Sequence, residues 1–110
     1  MTVVFEPPHS KRKYPRIVLP RGMLVAWSGG GKRAVSRVAS LSLGGLFIIT
    51  SNPPEKGTAV KLLFDVPGGE VRARAVVKRI VPEEGMGLQF SNMNYDDRAR
   101  LNRLLQKLLT

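Results

Sequence analysis

The chain has no cysteine among its 110 residues, a single histidine, few aromatic residues (6%) and only eight acidic side chains. Without cysteine there are no disulfides and no thiolate metal sites, which suits a reducing compartment; a cytoplasmic location is expected. His9 stands alone beside Pro7 and Pro8. No Ser–His or Cys–His constellation can be assembled around it, so an enzyme is not expected. Glu83 and Glu84 fall in a turn and read as solvated carboxylates, and no metal site is expected. No apolar run approaches the roughly 18–20 residues of a membrane span. The first residues show no charged segment followed by an apolar stretch, so no secretory signal is expected.

What the chain has in quantity is positive charge. Eighteen Lys and Arg against eight Asp and Glu leave a formal +10. The excess lies upstream: residues 1–54 hold eight basic residues (11, 12, 13, 16, 21, 32, 33, 37) and one acid, Glu6, a local +7. Such a field favours nucleotides, nucleic acid or acidic protein surfaces as partners. At 43% hydrophobic residues the chain is rich enough to bury one small core.

The length predicts a single domain over residues 11–110, preceded by a flexible, proline-bearing leader at 1–10. Pro15 disfavours helical geometry at Tyr14, so Arg12 and Arg16 stand on a loop or extended stretch, which Pro20 closes just before the first strand. From Gly22 onward the pattern alternates. Met23, Val25 and Trp27 oppose Leu24, Ala26 and Ser28, as in a half-buried strand. Gly29–Gly31 turns the chain into a second strand at about Arg33–Leu41, and Gly44-Gly45 kinks it into a third at Leu46–Thr50. Val60, Leu62, Phe64 and Val66 share one face of a fourth strand. Val71, Ala73, Ala75 and Val77 line a fifth, and Gly87–Phe90 is a short sixth.

The ending changes period. Asn94 suits an N-cap, with Asp96 and Asp97 in the first turn, and Leu101, Leu104, Leu105 and Leu108 recur at helical spacing. The expected fold is mainly β: a six-stranded antiparallel barrel with a C-terminal α-helix.

Two short patterns carry chemistry. In Lys11-Arg12-Lys13-Tyr14-Pro15-Arg16, two guanidinium groups can approach a ligand from different directions, bonding guanine edges or phosphates and stacking on purine faces. Lys11 and Lys13 add point charge for phosphates. In Ser40-Leu41-Ser42-Leu43-Gly44-Gly45, hydroxyls two positions apart on one strand share a face. The paired glycines permit positive φ and close backbone approach by a bulky ligand.

Together, in this order and spacing, the two patterns resemble the signature of the PilZ domain family: R-x-x-x-R near the N-terminus, then [D/N]-x-S-x-x-G some twenty to thirty residues later. Arg12 and Arg16 match the first part; Ser40, Ser42 and Gly45 match the second. Gly45–Ile48 and Gly85–Phe90 also look like strands of that family, and the resemblance spans about residues 10–108. It implies a six-stranded barrel with a C-terminal helix that binds the bacterial second messenger cyclic di-GMP. The arginines would meet guanine faces and phosphates, and the second motif a guanine edge. The ligand-binding set is then Lys11, Arg12, Arg16, Ser40, Ser42 and Gly45, and a bound dinucleotide would order the N-terminal arm and present a surface to an effector protein. One position departs from the pattern. Ser40 stands where the family has Asp or Asn, exchanging a longer and possibly charged acceptor for a hydroxyl, a difference of about 1 kcal/mol or roughly fivefold in affinity.

Two other readings stay open from the residues. One is a PilZ-like protein without the ligand, acting by protein–protein contact in pilus or motility machinery. The other is a small basic barrel that binds nucleic acid through Arg72, Arg74, Lys78 and Arg79, against which stands the shortage of aromatic residues for base stacking.

Overall fold

The computed structural model describes residues 4–5 and 16–109. Lys11, Arg12 and most of the leader lie outside the described residues. Seven strands and one helix are present among them: β1 (Val4–Phe5), β2 (Ile17–Gly29), β3 (Lys32–Leu41), β4 (Gly45–Ile49), β5 (Ala59–Val66), β6 (Gly69–Val81), β7 (Gly85–Met93) and α1 (Tyr95–Leu109). The sheet runs β1-β2-β3-β4-β7-β6-β5, every pair antiparallel, and β5 pairs back onto β2. That last pairing closes six strands into a barrel and removes the free edges of an open sheet. The two residues of β1 add to the first half of β2, with Val4 opposite Val18 and Phe5 opposite Ile17.

Alternation in sequence becomes alternation in burial. Along β5 every second residue is buried, with Val60, Leu62, Phe64 and Val66 inside and Lys61 and Asp65 outside. On β6 the inward set is Val71, Ala73, Ala75 and Val77. Inner-face residues of all six barrel strands join Leu101 and Leu105 of α1 in one core. Fully burying side chains of this kind contributes about 1.5–3 kcal/mol each for the larger ones. Trp27 is buried, and its indole N–H donates to Ser36 Oγ at 2.9 Å, so the core holds no unpaired ring nitrogen there.

β2 and β7 reach further than the sequence expectation. β2 begins at Ile17, and Pro20 lies inside the strand rather than ahead of it. The register between β2 and β3 breaks between Val18 and Met23, and such an irregularity tolerates a residue with no N–H to donate. The last strand reaches from Gly85 to Met93, longer than the four residues expected, because its polar end still pairs with β6 through Asn92 and Met93. Gly30 and Gly31 have φ of 60° and 78°, the left-handed pair that a two-residue hairpin between twisted strands requires. Asn94 caps α1 as expected: the Asp97 N–H donates to its Oδ1 at 2.7 Å. Buried Asp97 also accepts from Arg100 Nη1 at 2.9 Å.

Candidate functional site

The turn between β3 and β4 is built around one hydroxyl. β3 ends at Leu41, so Ser42 is the first residue of the turn and not a strand neighbour of Ser40. Its Oγ accepts from the N–H groups of Gly44 (3.0 Å) and Gly45 (3.2 Å), while its own N–H donates to the Gly45 carbonyl at 2.9 Å. Arg98 of α1 reaches across to donate to the Leu43 carbonyl at 3.4 Å, tying the helix to this turn. Gly45 is needed for packing, not for positive φ. A Cβ there would lie 1.9 Å from the Leu88 carbonyl oxygen on β7, which no side chain tolerates. Contrary to the sequence expectation, Ser40 and Ser42 do not share a strand face and Gly44-Gly45 does not use positive φ; the segment is a turn held by its serine and pressed against the next strand.

Beside the turn is a concavity of about 390 Å³. Arg16, Ser42, Gly44, Gly45 and Leu46 line one side, and Lys78, Arg79, Gly87, Leu88 and Gln89 the other. Arg16, at the entrance to β2, and the serine–glycine turn are 26 residues apart in sequence from Arg16 to Ser42, yet they border the same space. Ser40 does not border it. It is buried at 4% exposure, paired across the barrel surface with Val18 on one side and Phe47 on the other.

The opposite wall comes from residues that periodicity gave no reason to place here. The β6–β7 register shifts between Val77 and Arg79, and this bulge leaves both Lys78 and Arg79 exposed in succession, where a regular strand would turn one inward. The Arg79 guanidinium lies over the Phe47 ring, 5.7 Å from its centroid. Gln89, opposite Gly45 on β7, brings a side-chain amide able both to donate and to accept. The lining holds three cations and no acid. Its size falls in the range of small-molecule sites, about 300–1,000 Å³. Such a space is suited to a ligand with anionic groups and polar ring edges. The four basic residues of β6 do not form one stripe: Lys78 and Arg79 face this space, and Arg72 and Arg74 face another. Among the described residues no group of acidic or histidine side chains could hold a metal ion, and no helix is long and apolar enough to cross a membrane.

Comparison with known proteins places this architecture. Solved structures with the same fold include the inhibitor of motility MotI/DgrA of Bacillus subtilis, at TM-score 0.73 and 20% identity over 94% of this chain and 56% of the other. The present chain thus spans little more than half of that protein's length. The PilZ domain of CeSA from a cellulose-synthesizing bacterium aligns at TM-score 0.66 and 21% identity, over 86% of this chain and 98% of that one. The PilZ domain of YcgR from Escherichia coli, solved with c-di-GMP, aligns at TM-score 0.69 and 17% identity, over 91% and 92% of the two chains. No curated protein matches the sequence. The PilZ domain model matches residues 10–107, nearly the whole chain, and the closed barrel with its C-terminal helix agrees; the protein belongs to the PilZ domain family.

Proposed function

We propose that the protein is a receptor or adaptor for cyclic di-GMP, bound between the Arg12–Arg16 segment and the Ser42–Gly45 turn. The observation that supports this most is that Arg16 and the turn, the two halves of the family signature, line one cationic concavity with Lys78 and Arg79. In this reading Arg12 and Arg16 stack on guanine and bond phosphate, with Lys11 adding positive charge for the phosphates. Lys78 and Arg79 complement the second phosphate or guanine face. Ser42 serves mainly by shaping the turn, and Gly45 by keeping the floor low. Ser40 stands in the same cross-strand row as Phe47, Gly87 and Arg79 without lining the concavity. The ligand bridges the N-terminal arm to the barrel, fixes the arm there, and so presents a surface to an effector protein, in the cytoplasm and in a process such as motility.

Ser40 supports a second reading, in which the site has lost the ligand and the domain works through protein contact alone. It replaces the Asp or Asn of the signature, is buried, and does not line the concavity. Calorimetric titration with cyclic di-GMP, beside single-stranded DNA at two salt concentrations, separates these readings. Saturable binding of the dinucleotide that persists at high salt supports the receptor. No heat from either ligand favours the contact protein, and steeply salt-dependent binding of DNA alone favours a nucleic-acid protein.

A further inference from the structure

A second and larger concavity, about 740 Å³, lies on a different part of the barrel wall and shares no lining residue with the first. The strand register sets its pattern. Arg33, Ser28, Lys61, Arg74 and Asn92 oppose one another in turn across β3, β2, β5, β6 and β7, forming one continuous outward row. The next row, two residues along each strand, runs Val35, Ala26, Leu63 and Arg72. Here Val35 is 65% and Leu63 37% exposed, and Leu24, two residues before Ala26, is 65% exposed. A cationic row thus flanks an apolar one on the same face.

Among the described residues the cationic row is without acidic partners. Arg33, Lys61 and Arg74 make no ion pair among the described residues, and Arg72 has only a long, exposed one to Glu70 at 3.8 Å. Exposed aliphatic groups that adjoin one another, rimmed by polar or charged side chains, mark a surface that a partner can cover. The fit is to a helix. Measured along the curved barrel wall, strand spacing of about 4.8 Å puts Arg33 and Lys61 roughly 10 Å apart and Arg74 about 5 Å further on. Helical residues at i and i+7 are also about 10.5 Å apart along the axis, and a helix can carry an acidic line directly beside an apolar stripe. An extended strand shows only one row to a surface, because its successive side chains point to opposite faces.

We propose that this face docks an acidic amphipathic helix of a partner protein, its carboxylates on Arg33, Lys61 and Arg74 and its apolar stripe on Val35, Leu63 and Ala26. Charge decides against other occupants. A second copy of this +10 chain would bring a helix carrying Arg98, Arg100, Arg103 and Lys107 to a face already cationic. A single-stranded nucleic acid would find no stacking platform, since Trp27 beneath the face is 4% exposed.

The test is an NMR titration of the isotope-labelled chain with a synthetic helical peptide bearing leucines at i, i+3, i+4 and i+7 and glutamates along one flank. A peptide with glutamine in place of glutamate and an oligothymidylate serve as the comparison probes. The expected result is amide shifts confined to residues 24–28, 33–35, 61–63, 72–74 and 92, weakened about tenfold or more by R33E/K61E/R74E. The neutral variant R33Q/K61Q/R74Q, which keeps the surface hydrophilic, should weaken it less. Equal binding of the glutamine peptide, shifts centred on another face, no shifts at all, or tighter binding of oligothymidylate to this face would each overturn the proposal. Because no residue is shared with the first concavity, the result is independent of whether cyclic di-GMP binds.

Discussion

Arg79 and Phe47 meet across a glycine. They stand on β6 and β4, with Gly87 of β7 between them in the same cross-strand row, and the guanidinium spans that gap to lie over the ring at 5.7 Å. A Cβ on Gly87 would touch Arg79 and Phe47 only at ordinary contact distances, 3.6–3.8 Å. The missing side chain leaves the lane open for the arginine, and the ring keeps a flexible cation at the edge of the candidate site. Arg79→Ala is expected to weaken cyclic di-GMP binding about tenfold, with Gly87→Ala nearly neutral and Gly87→Val intermediate because its branches push Arg79 off the ring. Calorimetric titration of the three variants checks the order, and an Arg79→Ala affinity equal to the parent removes this wall from the site.

The signature arginines carry the largest expected effect. Arg12→Ala and Arg16→Ala should each cost about 2 kcal/mol in binding, roughly thirtyfold, through lost charge-assisted and stacking contacts. Arg16 is not among the core residues, so the unfolding midpoint of Arg16→Ala should stay close to that of the parent. Unchanged titrations for both variants would refute the site assignment.

Position 40 separates reach from burial. Ser40→Asn should tighten binding a few-fold if the longer amide regains the contact made by the family's Asp or Asn. Ser40→Asp places a carboxylate at a site only 4% exposed and should lower the stability of the free protein. Thermal unfolding with and without ligand checks both, since a ligand that uses the new carboxylate raises the midpoint of Ser40→Asp most. Loss of binding in both variants means that Ser40 serves a different geometry.

The turn should be fragile in two distinct ways. Ser42→Ala removes the acceptor for two amide groups and is expected to cost about 1–3 kcal/mol of stability. Gly45→Ala drives a Cβ into the Leu88 carbonyl and must separate β4 from β7, so it should cost more. Denaturant unfolding measures both, and a Gly45→Ala protein as stable as the parent would contradict the close approach described for this pair of strands.

Ligand-dependent ordering is expected in the arm. Fixing each backbone residue costs about 1–2 kcal/mol of entropy, so only the few residues around Arg12 to Arg16 should gain full order from contact with the dinucleotide. Amide exchange at 11–16 should slow on adding cyclic di-GMP while the barrel strands change little. Equal protection with and without saturating ligand would rule out a switching arm.

Period-two alternation along β5 and β6, the glycine turn at 30–31 and the Asn94 cap with its leucine spacing all act over a few residues, so the strands, the hairpin and the helix were legible in the sequence. So was the pairing of two motifs that named the family. Long-range register was not. The placement of Pro20 inside β2 depends on an irregularity against β3. Lys78 and Arg79 face the candidate site through a bulge against β7, and Ser40 is buried on a strand that runs between β2 and β4. Gly45 illustrates the difference: the sequence shows a flexible residue in a turn, whereas the fold shows a residue with no room for a side chain. Local propensity is a property of neighbouring residues in the chain, but which strands lie side by side, and with what offset, is settled only when the barrel closes and every inward face must fill the same core.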